Sequence, residues 1–217
     1  MTEEQNTLEE HPVEEISGLS LNAIAGLLHS EEIKSHSFTR PLENGGGELA
    51  ECVVGQQAED GHTLLSTYGA GGVPTEGKIN IDNIKEYEYH AEFFMVASSV
   101  PVANVLVEEL VNISFIVSVN RQPLFPGMVI GGVNGNDEIF YLFTERPLGI
   151  QNGHGHPPIL TPDFALAFVA VNRLYKEEVD LIQAEGGFDK FSEFLTSLGN
   201  DAYSISRPKY SDVAVTE

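Results

Sequence analysis

Between Tyr87 and Ala97 the chain alternates strictly. Tyr87, Tyr89, Ala91, Phe93, Met95 and Ala97 fall on one face of an extended strand, and Glu88, His90 and Glu92 fall on the other. Period-2 alternation of this length predicts a β-strand with one packed and one largely solvated face. The period changes at Pro101, a residue suited to the first turn of a helix. Val102, Val105, Leu106, Glu109, Leu110 and Ile113 recur at helical spacing, with Asn104, Glu108 and Asn112 on the exposed side. Phe115, Ile116 and Val117 extend the apolar surface, so a mostly buried helix is expected over residues 101–118.

Weaker patterns fill in the rest. Leu21, Ile24, Leu27 and Leu28 suggest a short helix at 19–34 with Ser20 as its cap, and Asn44-Gly45-Gly46-Gly47 marks a loop. Leu49–Val54 and His62–Tyr68 read as strands joined through Glu59-Asp60-Gly61. Asn134-Gly135 between Gly127–Val133 and Glu138–Thr144 is a strong hairpin signal. Phe164–Val171 is apolar throughout, as in a central strand covered on both faces. Tyr175, Val179 and Ile182 define one short helix, ended by Gly186-Gly187. Phe188, Phe191, Leu195 and Leu198 define a second, ended by Gly199. The class is therefore α+β, with a mixed, largely antiparallel sheet, a buried central helix and two short C-terminal helices. Residues 1–17 read as an acidic flexible tail, 18–199 as a single domain and 200–217 as a polar C-terminal tail.

Charge narrows the function classes. Asp and Glu number 33 against 11 Lys and Arg, a formal net charge of -22. Phosphate contacts need cations, so nucleic acid and anionic membrane surfaces are poor partners. The apolar runs are about ten residues, short of a bilayer span. One Cys permits no intramolecular disulfide, and the first fifteen residues are acidic, unlike a secretory leader. A cytoplasmic protein is expected.

Candidate chemistry is sparse. His154 and His156, two residues apart in a Pro- and Gly-rich loop, could ligate a metal with Asp163, which would suit a metal-dependent hydrolase. No third His or Cys is identifiable beside them, and an ordinary surface loop competes. Glu88 and Glu92 flank His90 on one strand face and would favour a charged imidazole, yet a solvated sheet face is the simpler reading. Cys52, beside Ala50 and Val54 on its strand face, reads as a small core residue. Gly69-Ala70-Gly71-Gly72 is followed by neither a Lys-Ser or Lys-Thr pair nor an immediate helix, so it fails the nucleotide fingerprints and reads as a tight turn. With no catalytic set, no cofactor is expected and a non-catalytic binding protein leads. Contact regions expected are loop 69–77, with Tyr68 beside it, the Glu88, His90, Glu92 face and loop 146–163. Phe140 and Tyr141 could add an aromatic anchor if they are not core residues.

The order of elements resembles the suppressor-of-fused domain in its bacterial stand-alone form. The resemblance rests on Gly61-His62 before a strand ending Thr67-Tyr68-Gly69, the 87–97 strand leading into an apolar helix, and the Pro126-Gly127 turn. It continues through Phe168-Val169-Ala170-Val171, then Leu174-Tyr175-Lys176-Glu177-Glu178-Val179, and Glu185-Gly186-Gly187-Phe188 leading into Phe191–Leu195. It covers residues 38–198. The resemblance implies an α+β fold without enzymatic activity and a protein partner. The animal member holds a transcription factor of the Hedgehog pathway, and bacterial members are thought of as immunity proteins against toxins. This chain departs from the animal protein in its acidic N-terminal extension and its lack of Trp. The Hedgehog role is not carried over. An acidic immunity protein is steered to a basic toxin, so a basic protein partner is expected.

Overall fold

The computed structural model describes residues 34–41, 48–57, 62–72, 74–75, 78–80, 86–120, 124, 126–149 and 158–214. The acidic tail, the helix expected at 19–34 except for its last residue, the Asn44–Gly47 loop, the Glu59–Gly61 turn and the His154–His156 pair lie outside these residues. Among the described residues nine strands form one sheet: β1 (Lys34–Pro41), β2 (Glu48–Gln57), β3 (Thr63–Tyr68), β4 (Lys78–Asn80), β5 (Glu86–Ala97), β6 (Val129–Gly131), β7 (Ile139–Thr144), β8 (Ile159–Leu160) and β9 (Phe164–Tyr175). Their order is β1-β2-β3-β5-β9-β7-β6, with β4 added to β5 and β8 to β9. Every pairing is antiparallel except β5 with β9, which run parallel over Glu88–Phe94 and Phe164–Ala170. The architecture is α+β with a mixed, largely antiparallel sheet, as the sequence predicts.

Helix α1 (Val100–Asn120) crosses one face of this sheet. Leu106, Leu110, Ile113 and Val117 pack on Ala91, Phe93, Met95 and Ala97 of β5 and on Phe143, Val169 and Val171 beyond it. The alternation of β5 thus delivers its apolar face to the helix. The buried side of α1 is rotated from expectation: Ala103, Val107 and Val111 are buried, while Val105 is 52% exposed. Over Val100–Val117 the helix is by length and composition apolar enough to cross a bilayer, which short run lengths conceal because Asn and Glu interrupt them. Here its apolar residues meet the sheet.

Two helices, α2 (Lys176–Gln183) and α3 (Gly187–Leu198), cover the other face at the β7–β9 end. Phe191, Phe194 and Leu195 pack against Leu142 and Leu174. Phe194 takes the core position that the heptad-like spacing assigns to Phe188, which is 39% exposed. Gly186 has φ +69°, and a Cβ on Gly187 would stand 1.7 Å from the Leu181 carbonyl oxygen, so both glycines are required where α2 meets α3.

The segment expected to be a loose tail is packed. A 3₁₀ turn (Gly199–Tyr203) and helix α4 (Tyr210–Ala214) follow α3, and Arg207 between them is buried. Charge and polarity suggest a tail; the buried ion pair of Arg207 with Glu178 holds it instead. The hairpin at Asn134-Gly135 forms, but with a 3₁₀ turn over Val133–Gly135 in place of a two-residue turn.

Leu110 is fully buried between α1 and the sheet. Leu110→Ala should cost about 2–5 kcal/mol in urea unfolding, whereas Val105→Ala should change stability by less than about 0.5 kcal/mol.

Candidate functional site

The strand face carrying Glu88, His90 and Glu92 reaches water only at Glu88, which is half-buried. His90 and Glu92 are both 0% exposed. A carboxylate so buried must find donors. The end of β3 and the glycine turn supply them. Thr67 Oγ1 donates to Glu92 Oε2 at 2.7 Å, and the Gly69 and Gly71 amides donate to Oε1 at 2.8 and 3.3 Å. Thr67 Oγ1 in turn accepts from the Phe93 amide at 2.9 Å. The turn that fails as a phosphate loop is an anion nest filled by the protein's own carboxylate. It is a 3₁₀ turn (Ala70–Gly72), with Gly69 at φ +102°.

His90 closes the same turn from the other side. Its Nδ1 hydrogen-bonds the Gly71 carbonyl, so that nitrogen carries the proton. Its Nε2 lies 3.5 Å from Glu88 Oε2, and the Phe164 ring tilts against it at 5.0 Å. Tyr68 is half-buried and packs beside Phe94 and Phe168. The expected partner face is therefore a correction: His90 and Glu92 brace the glycine turn and offer no contact surface. Period-2 alternation identified the face but not its burial. The legible clue was a Thr and four small residues able to satisfy a buried carboxylate one strand away.

Other expected sites fall as follows. Asp163 is exposed in the turn before β9, where its amide donates to Thr161 Oγ1 at 3.3 Å. Among the described residues no group of three His, Cys, Asp or Glu side chains is placed to hold a metal. Cys52 lies in β2 opposite Tyr68. Phe140 is half-buried, and Tyr141 is a core residue whose hydroxyl donates to Glu109 Oε2 of α1 at 2.8 Å. Glu109 also faces Arg173 at 3.5 Å.

A centre that the sequence reading missed lies at Glu178. It is 0% exposed and sits at the third position of α2, from which Oε2 accepts the Tyr175 amide at 2.9 Å. Arg207 meets both carboxylate oxygens: Nη1 reaches Oε1 at 2.8 Å, and Nη2 hydrogen-bonds Oε2. The guanidinium lies 4.9, 5.5 and 5.9 Å from the ring centroids of Tyr175, Phe191 and Phe194. It also donates to the Pro208 and Arg173 carbonyls at 3.0 and 3.1 Å. Glu178 was legible as the second acid of the Glu177-Glu178 pair, but its partner comes from 29 residues on.

No family model matches the sequence, and no curated protein does. Solved structures do. A chain of the Sufu-Fu complex crystal structure aligns with a TM-score of 0.61 over 93% of this chain and 95% of that chain, at 11% identity. The chain has a suppressor-of-fused-like fold. The crystal structure of Drosophila Suppressor of Fused aligns with a TM-score of 0.58 over 92% of this chain, at 11% identity. This chain spans 53% of that chain's length.

Two predictions follow from the buried polar groups. Glu92→Ala leaves the Gly69 amide and Thr67 hydroxyl without their acceptor, and should cost about 2–4 kcal/mol in denaturant unfolding, with Glu92→Gln costing less. Burial, with help from Glu145, pushes the Tyr89 phenol up to about 12. Burial and the Glu109 carboxylate push Tyr141 up as well. Both phenols stay protonated in the folded chain where the unfolded chain ionises, so stability should fall as pH rises from about 10 towards 12. Ultraviolet titration should separate these two late phenols from the rest.

Proposed function

We propose that this chain is a non-catalytic protein-binding module of the suppressor-of-fused type, acting in the cytoplasm on a partner with a basic surface. Within that class we favour a bacterial stand-alone immunity protein that neutralises a toxin. The observation that carries this reading is the net charge of -22. Among the described residues the carboxylates are largely outward. Glu108, Asp137, Glu138, Asp180, Glu185, Asp189, Glu193 and Asp201 are all exposed. A field of this sign attracts a basic protein and speeds its association by about 10- to 1000-fold at low salt.

The fold supports the same reading, since a structurally similar chain occurs in a complex of Sufu with Fu. The buried carboxylates Glu92 and Glu178 are spoken for by internal donors, which leaves the exposed acids to meet a partner.

The test is capture from lysate of the source organism on immobilised full-length protein, at low and moderate salt, read by mass spectrometry. The expected result is one dominant basic protein whose retention falls as salt rises, and whose expression alone arrests growth unless this chain is co-expressed. A dominant partner that is acidic, or retention indifferent to salt, would overturn the electrostatic reading. A basic partner that is harmless alone would overturn the immunity role.

A further inference from the structure

The parallel ladder of β5 and β9 stops at Phe94 and Ala170. Beyond it the strands diverge: Met95–Ala97 continue along β3, and Val171–Tyr175 continue along β7. Residues 202–207 occupy the fork, bordering a small cavity lined by Met95, Val96, Val171 and Arg173. Their main chain is read by donors on both branches. The Ser98 amide donates to the Tyr203 carbonyl at 3.1 Å. Arg173 Nη1 and the Tyr175 hydroxyl donate to the Ile205 carbonyl at 2.8 and 3.2 Å, and that hydroxyl also reaches the Arg207 carbonyl at 3.1 Å. Ile205 fits against the core, and Arg207 enters the Glu178 pocket among three aromatic rings.

These are the features of a peptide-recognition groove. Main-chain acceptors are matched by fixed donors, one apolar side chain is seated, and one guanidinium is held bidentately by a buried carboxylate. Beyond the pocket the Tyr210 amide donates to Glu178 Oε1 at 3.1 Å and its ring meets Phe194, while Lys209 and Ser211 hold on more lightly. Lys209 and Ser211 meet Glu177 at 3.2 and 2.7 Å, and both contacts are exposed to water. Exposed pairs of this kind contribute little.

We propose that residues 203–214 are an intramolecular latch, and that the fork and the Glu178 pocket form a docking groove for an extended, arginine-bearing segment of a basic partner protein, which displaces the latch. This rests on the reading of the chain as a binder of basic proteins and names the contact. Charge complementarity selects this occupant: the pocket holds a carboxylate that has no use for a neutral or acidic residue.

The test uses the full-length chain and a synthetic peptide with the sequence of residues 203–214, alongside the same peptide with citrulline in place of arginine. Arg207→Ala should melt well below the wild type. The arginine peptide should bind that variant and restore its melting temperature, with the citrulline peptide at least about 10-fold weaker. A folded Arg207→Ala chain that binds neither peptide, or both alike, would overturn the proposal. If Arg207→Ala does not fold, Lys209→Ala with Ser211→Ala loosens the latch outside the pocket. That variant should bind the arginine peptide more tightly than the wild type, and equal or undetectable binding would overturn the proposal. Exchange of the latch between two copies, seen as a dimer that the peptide does not dissolve, would also overturn it. A basic partner captured from lysate but not competed by the peptide would remove the groove and leave the binder reading intact; peptide binding without any captured partner would do the reverse.

Discussion

Parallel pairing of β5 with β9 sets the plan of this molecule. Parallel strands cannot be joined by a tight turn, so the chain must leave the sheet and return. It leaves through α1, which lies on the face that the β5 alternation makes apolar. It returns through β6, β7 and β8, and two of these flank β9 directly. The central strands are thereby covered on one face by α1, and α2 and α3 cover the other face at the β7–β9 end. Because the ladder ends at Phe94 and Ala170, a fork opens at the middle of the sheet. The C-terminal segment lies in that fork.

Two buried carboxylates then fix the parts that the ladder does not. Glu92 organises the glycine turn after β3 through three hydrogen bonds, with His90 holding the same turn by its Gly71 carbonyl. Glu178 organises the start of α2 and the C-terminal segment through Tyr175, Arg207 and Tyr210. Each is supplied with enough donors that its charge can be carried inside the protein. The two differ in kind. Glu92 is met by a hydroxyl and backbone amides of neighbouring elements, whereas the strongest partner of Glu178 is a side chain near the end of the chain.

Much of the architecture was legible because it rests on periodicity. The strand at Tyr87–Ala97, the helix from Pro101, the apolar run at Phe164 and the two helices bounded by Gly186 and Gly199 all appear close to where spacing puts them. What spacing could not reveal was burial of charge. Glu88, His90 and Glu92 alternate like a solvated face, and only the arrival of Thr67 and the glycine turn makes His90 and Glu92 interior. Arg207 sits in a polar, Ser-rich stretch that reads as a tail, because its carboxylate lies far back in sequence. Long-range pairing of single polar residues leaves no periodic trace. The same holds for Phe188 and Phe194, where one short helix offers both aromatic residues and tertiary packing chooses between them.

The proposed latch divides the molecule into a sheet core that stays closed and a C-terminal segment that opens on its own. Native-state hydrogen exchange tests this most directly. The amides of Ala91 to Phe94 should exchange only through global unfolding, while those of Ser204, Arg207 and Tyr210 should exchange through an opening of distinctly lower free energy that denaturant barely affects. If the C-terminal amides share the free energy and denaturant dependence of the β5 amides, the segment is an integral part of the core and the latch does not exist.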